Sequence, residues 1–175
     1  MNLHDDREAF DELLIGAANE LAIPTDIIEK DYYVTIALKK LSEKLEDMVF
    51  KGGTSLTKCY QLLNRFSEDI DISYTAESGI PGEARKKQLK KAVVAVMDEL
   101  GFPITNIDKT RSRRNYNCYR ASYPSIYEKT NYLKPEFVVE TYVALLPFPT
   151  TRRMVDNYIY RFLKKIDRLD LAEIY

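Results

Sequence analysis

The chain has 175 residues, of which 45% are hydrophobic and 30% charged, the balance of an ordinary globular domain with enough length to bury a real core. Its net charge is −1, so no global field recruits nucleic acid, and any such contact must come from a local patch. No apolar run approaches the roughly 20 residues a membrane-spanning helix needs, and the acidic, polar N-terminus is not a signal peptide. Cys59 and Cys118 fit no metal-ligand spacing and make a poor disulfide framework, as expected of idle thiols in the cytoplasm.

Apolar residues at Phe10, Leu13, Leu14, Ala17, Ala18 and Leu21 predict a helix over residues 7–21. Pro24 and Thr25 break the pattern. Asp26 with Glu29 then reads as a capping arrangement for a second helix to about residue 45, with Ile27, Val34, Leu38, Leu41 and Leu45 inward. Spacing alone puts Glu29, Lys30 and Asp31 on a solvated face with local ion pairs. His4 is the one histidine, expected at a frayed end, which excludes triads built on histidine.

Residues 49–72, VFKGGTSLTKCYQLLNRFSEDIDI, are where chemistry begins. A short strand end (Met48, Val49, Phe50) runs into Gly52 and Gly53, which lack a Cβ and let the backbone turn sharply against a ligand. Thr54 or Ser55 can cap a following helical segment over 56–63, whose positive end attracts phosphate. From Ser67 onward polar and apolar residues alternate, so a strand sends Ser67, Asp69 and Asp71 to one side and Ile70 and Ile72 to the other. Adjacent carboxylates repel, and a cation between them best explains their closeness; hard oxygen donors of this kind suit Mg²⁺.

Beyond a predicted loop at 75–82, residues 83–100 read as a helix with Leu89, Val93, Val96, Met97 and Leu100 inward. Its basic outer face, Arg85, Lys86, Lys87, Lys90 and Lys91, reads as solvated surface. Gly101 and Pro103 stop it. Residues 104–108, 116–123 and 135–144 read as strands. Between the first two lies a basic tip, Lys109 to Asn115, flanked by Tyr116, Tyr119 and Tyr123; it is either a solvated turn or a place for phosphates and splayed bases. Glu140 interrupts an apolar strand and needs a partner, either a cation shared with Asp69 and Asp71 or a basic side chain. After Pro147 and Pro149, Val155, Tyr158, Ile159, Phe162, Leu163 and Ile166 predict a closing helix within 150–175.

G-G-T-S followed by R-F-S-E-D-I-D resembles the signature of the AbiEii/AbiGii toxin family of nucleotidyltransferases, within the DNA polymerase β-like superfamily. Residues 29–35, E-K-D-Y-Y-V-T, resemble a further segment of that family. The resemblance implies an α+β nucleotidyltransferase fold, a mixed sheet of about five strands flanked by helices. It implies one catalytic domain over 1–175, with helices over 1–47, a sheet core over 48–145 and a closing helix. Nothing in the chain resembles that family's C-terminal helical half, so it reads as a catalytic-half fragment or an unusually short member.

The implied reaction is Mg²⁺-dependent transfer of a nucleotide from an NTP to an acceptor hydroxyl, in related members the 3′ end of tRNA. Two ions would sit on Asp69 and Asp71, with Glu140, or Glu136 as the fallback, completing the set. Gly52, Gly53, Thr54 and Ser55 would hold the triphosphate tail, with Arg65 or Lys58 neutralising it. Ser67 could steady a phosphate or be a target for modification. The family setting is a cytoplasmic bacterial toxin–antitoxin or phage-defence system with a cognate antitoxin. Two alternatives remain: a nucleotide-binding module without turnover, and a plain interaction domain.

Overall fold

Residues Met48–Lys51 (β1), Ile70–Tyr74 (β2), Tyr116–Ser122 (β3) and Glu136–Val143 (β4) form one mixed sheet in the order β1-β2-β4-β3. β2 and β4 run parallel; the other two pairings are antiparallel. The structure, a computed structural model, describes residues 2–63, 66–74, 82–111, 113–127, 133–143 and 149–174. The predicted loop at 75–82, apart from Gly82, lies outside them, as does Arg65.

Alternation along each strand gives the sheet two unlike faces. Ile70, Ile72, Tyr119, Ala121, Phe137 and Val139 are buried on one of them, under the helices. These helices are Arg7–Leu21 (α1), Thr25–Lys44 (α2), Gly82–Glu99 (α4) and Tyr158–Lys165 (α5), while Gly52–Lys58 (α3) connects β1 towards β2. Aromatic rings fill the seam: Tyr33 of α2 stacks on Tyr123 with centroids 4.5 Å apart and donates its hydroxyl to the Pro124 carbonyl. The opposite face, by the same alternation, carries Asp71, Glu140, Cys118 and Tyr116.

The structure agrees with the predicted span of α1, whose start is capped by the Asp6 carboxylate accepting from the Ala9 amide. Several expectations fail. The sheet has four described strands rather than five, because residues 104–108 form only an isolated bridge from Ile104 to Ala121 and then a 3-10 turn, Ile107–Lys109. The closing helix begins at Tyr158, capped by Asn157, and a separate 3-10 turn, Leu169–Glu173, follows it. His4 is not at a frayed end. It lies in a 3-10 turn with its ring against Tyr32, Tyr33 and Phe102, and this burial lowers its pKa.

α2 departs furthest from its sequence reading. Asp26 and Glu29 make no capping box; the N-cap is Pro24, and no side chain caps the helix. Seven consecutive residues, Ile28 to Val34, are buried, so this half of the helix is enclosed on all sides. Glu29, Lys30 and Asp31 are only 1%, 2% and 5% exposed, which replaces the solvated face with a buried charged one. Such charges persist only where each finds a partner.

Candidate active site

Each of those three charges ties α2 to a different part of the molecule. Glu29 accepts from the Ser125 hydroxyl at 2.6 Å and the Ile126 amide at 2.7 Å, beyond the end of β3, and burial pushes its pKa up. The Lys30 ammonium pairs with Glu68, just ahead of β2, and reaches the Lys134 carbonyl, ahead of β4. Asp31 takes the Lys58 ammonium on one oxygen, at 2.5 Å, and the Tyr158 amide on the other, at 2.9 Å. Together they fix the segments on either side of the acids.

Lys58 is therefore neither a surface lysine nor a group free to meet a triphosphate. It is 3% exposed, at the last turn of α3, and also donates to the Thr35 hydroxyl at 2.8 Å. The helix around it also differs from expectation. α3 starts on the glycines themselves and ends at Lys58, not at residue 63. Neither Thr54 nor Ser55 caps it: the N-cap is Lys51, and no side chain makes the bond. The Ser55 hydroxyl donates to the Gly52 carbonyl, while the hydroxyls of Thr54 and Ser67 lie 2.7 Å apart, joining the glycine turn to the approach of β2. Beyond the end of α3, Tyr60 and Leu62 are exposed and find no core to hold a longer helix.

Gly52 is needed for two separate reasons. Its φ is +75°, where a side chain is strained, and a Cβ there would overlap the Asp71 carboxylate. The close approach that the glycine allows is thus first to the protein's own acid.

Asp71 sits in β2 beside Lys51 of β1 on one flank and Glu140 of β4 on the other, and Cys118 of β3 continues the same row. Asp69 lies just before β2 and is exposed. Although the residue is exposed, protein packed to one side of the Asp69 carboxyl withdraws water from it and pushes it up, reinforced by Glu68 and Glu140 and partly offset by Lys30 and Arg120. Burial also raises Asp71, reinforced by Glu140 and Asp69 and partly offset by Lys51. Among the described residues none of Asp69, Asp71 and Glu140 forms an ion pair. Glu140 instead accepts the Tyr116 hydroxyl at 2.8 Å. Glu136, four residues earlier, faces Arg120 at 3.6 Å.

Mutually repelling oxygen donors that make no described ion pair, with Lys51 only partly offsetting Asp71, fit a hard divalent cation such as Mg²⁺. The fit is of chemistry rather than of a finished cage. Among the described residues no group of three or more His, Cys, Asp or Glu side chains is arranged to hold a metal ion. A cavity of about 470 Å³ lined by Ile23, Ile27, Thr57, Phe66, Tyr158 and Arg161 includes none of the three acids.

Two neighbours of the acids were missed in the sequence. Lys51 adjoins Asp71 in register and places its ammonium 5.7 Å from the Tyr142 ring centre. Tyr116 holds Glu140, and burial with that bond drives its own hydroxyl far up in pKa. The available signal was phase: once Glu140 is assigned to the acid face, Tyr142 shares that face along β4. Tyr116 follows only from the pairing of β3 with β4.

A mixed sheet with acids on adjacent parallel strands, facing a glycine turn that opens a short helix, is the architecture of a nucleotidyltransferase. The family model for "Nucleotidyl transferase AbiEii toxin, Type IV TA system" matches residues 36–174, and the chain belongs to that family. The match begins just after the 29–35 segment, whose place beside the acids rests on its contacts alone. No curated protein matches the chain in sequence. No described helix is long and apolar enough to cross a membrane.

Proposed function

We propose that this chain is the Mg²⁺-dependent catalytic domain of a type IV toxin, transferring a nucleotide from an NTP to an acceptor hydroxyl of RNA, with the 3′ end of tRNA the first candidate. A separate cognate antitoxin would restrain it, in the cytoplasm of a bacterium. The observation that carries this reading is the pairing of Asp71 with Glu140 across parallel strands, with Asp69 close enough to raise Asp71 and, among the described residues, no ion pair on any of the three.

The acceptor oxygen bonds to the α-phosphorus, the bond from that phosphorus to the bridging oxygen breaks, and pyrophosphate leaves. Asp69, Asp71 and Glu140 would hold Mg²⁺, which when bound neutralises the charge that develops on the phosphoryl oxygens. Glu140 would accept the proton lost by the hydroxyl, once Tyr116 yields it. The first amides of α3, at Gly52, Gly53 and Thr54, have no acceptor within the helix and are suited to the triphosphate tail. Thr54 and Ser55 would act there through the backbone, their hydroxyls being engaged elsewhere. Arg65 is the remaining candidate cation for the tail. Ser67, against Thr54, would keep the turn and the acids in step.

The test is Asp69→Asn with Asp71→Asn, assayed by transfer of each labelled triphosphate to total RNA. Wild-type labelling that is lost in the double variant supports the reading, and labelling that survives refutes it. A second reading, a nucleotide-binding module without turnover, is favoured by Glu140 being held by Tyr116 while, among the described residues, the acids form no finished cage. Mg²⁺-dependent triphosphate binding with no labelled product would select it.

A further inference from the structure

We infer that the basic face of α4 and the turn before β3 form one surface that binds the phosphate backbone of the acceptor RNA and leads it to the acids. The inference rests on the transferase reading above. Two basic stretches that are separate in sequence meet in space. Lys90 of α4 donates to the Thr110 carbonyl at 3.1 Å, and Lys86 to the Arg113 carbonyl at 3.4 Å. Arg111 also spends its guanidinium on carbonyls, those of Asp108 and Thr110.

A carbonyl satisfies a hydrogen bond without neutralising a charge. Among the described residues none of Lys86, Lys87, Lys90, Arg111, Arg113 and Arg114 belongs to an ion pair. At the far end of α4, by contrast, Lys40 and Lys44 converge on Glu99 at 3.2 and 3.0 Å. Residues 85–114 hold nine cationic side chains and three acidic ones, in a chain whose totals are 26 and 27. The fold therefore gathers Lys86, Lys87, Lys90, Arg111, Arg113 and Arg114 at one place with no described carboxylate paired to them, a surface that asks for a polyanion.

What the turn runs into favours RNA over an acidic protein. It passes directly to Tyr116, 47% exposed, whose hydroxyl rests on Glu140. Opposite it across the strands stands Tyr142, 41% exposed, with the Lys51 ammonium over its ring. Exposed rings beside cations accept stacked, unpaired bases, and Tyr116 joins the end of the basic turn directly to Glu140. The path thus has phosphate-binding cations on α4 and the turn and base-stacking rings next to the acids.

The experiment uses the full chain and a fluorescein-labelled RNA hairpin with a single-stranded 3′ end, with binding followed by anisotropy between 50 and 200 mM KCl. The variant Lys87→Ala with Arg113→Ala and Arg114→Ala removes three cations whose side chains make no described hydrogen bond. It should bind the hairpin about tenfold or more weakly at low salt, with a log–log salt slope shallower by roughly two to three. Its triphosphate affinity and thermal midpoint should stay those of wild type. Should the triple variant misfold, Lys87→Arg with Arg113→Lys and Arg114→Lys, which keeps the charge, must retain hairpin affinity and slope. Unchanged affinity and slope in a folded alanine variant overturn the inference, as does a wild type that does not bind the hairpin. Asp69→Asn with Asp71→Asn separates the two readings: it should keep hairpin affinity while losing transfer, and transfer that persists would sink the catalytic reading alone.

Discussion

Replacing Lys58 with Met removes the ammonium and leaves the Asp31 carboxylate, 5% exposed, with one oxygen deprived of its charged partner. Removing one member of a buried pair costs about 3–5 kcal/mol. In a chain of this length that lowers the thermal midpoint by roughly 6–20 °C. Asp31→Leu with Lys58→Met removes both charges and should recover much of the loss, because apolar residues of similar volume often replace a buried pair without penalty. What stays lost is the acceptor for the Tyr158 amide and the partner of the Thr35 hydroxyl, about 1–2 kcal/mol together. Thermal and urea unfolding of wild type, both single variants and the double variant give the coupling directly. A Lys58→Met protein within about 1 kcal/mol of wild type, with additive effects in the double, would mean an ordinary surface pair. If that stable variant also lost triphosphate affinity, Lys58 would be a tail contact and its structural assignment wrong.

Other consequences are simpler to measure. Gly52→Ala must strain the backbone and displace the Asp71 carboxylate, so it should cost more than about 2 kcal/mol and abolish transfer. Gly101→Ala, with φ +69° but open space around it, should cost only the strain, about 1 kcal/mol, and leave transfer intact. Equal losses in unfolding experiments would discount the contact with Asp71. Because Asp71 has its pKa raised in the folded protein, its ionisation opposes folding once the pH passes above the ordinary carboxylate range. Without divalent cations, Asp71→Asn should therefore be the more stable protein at neutral pH, by less than about 1 kcal/mol given solvent screening. That advantage should vanish as the pH falls below about 4, and saturating Mg²⁺ should reverse it. A variant less stable than wild type at neutral pH without metal would contradict the sign.

Much of the site could be read from the chain because it depends on short-range pattern. Alternation in β2 buries Ile70 and Ile72 and leaves Asp71 on the other face, and the polar interruption at Glu140 marked the strand that lies beside it. The burial of Glu29, Lys30 and Asp31 could not be read in the same way. Their partners at Ser125, Lys134, Lys58 and Tyr158 are distant in sequence, and three charges in a row look like solvated surface until those partners arrive. Residues 104–108 carry strand-like composition, yet the pairing with β3 is limited to one bridge at Ile104, with Thr105 donating to the Arg120 carbonyl, before the chain enters the 3-10 turn. The joining of α4 to the basic turn was hidden for a related reason. Each stretch alone is commonplace, and only the contacts of Lys86 and Lys90 make them one surface.

Asp31 and Tyr158 are 127 residues apart in the chain, and the second oxygen of that carboxylate has no partner until residue 158 exists. Contacts this distant form late, since their loop must close before they contribute anything. During synthesis, then, the acids and the glycine bend emerge from the ribosome well before the brace behind them is complete. A nascent chain of this kind carries the chemical groups of the site before it carries the contact that steadies the helix behind them.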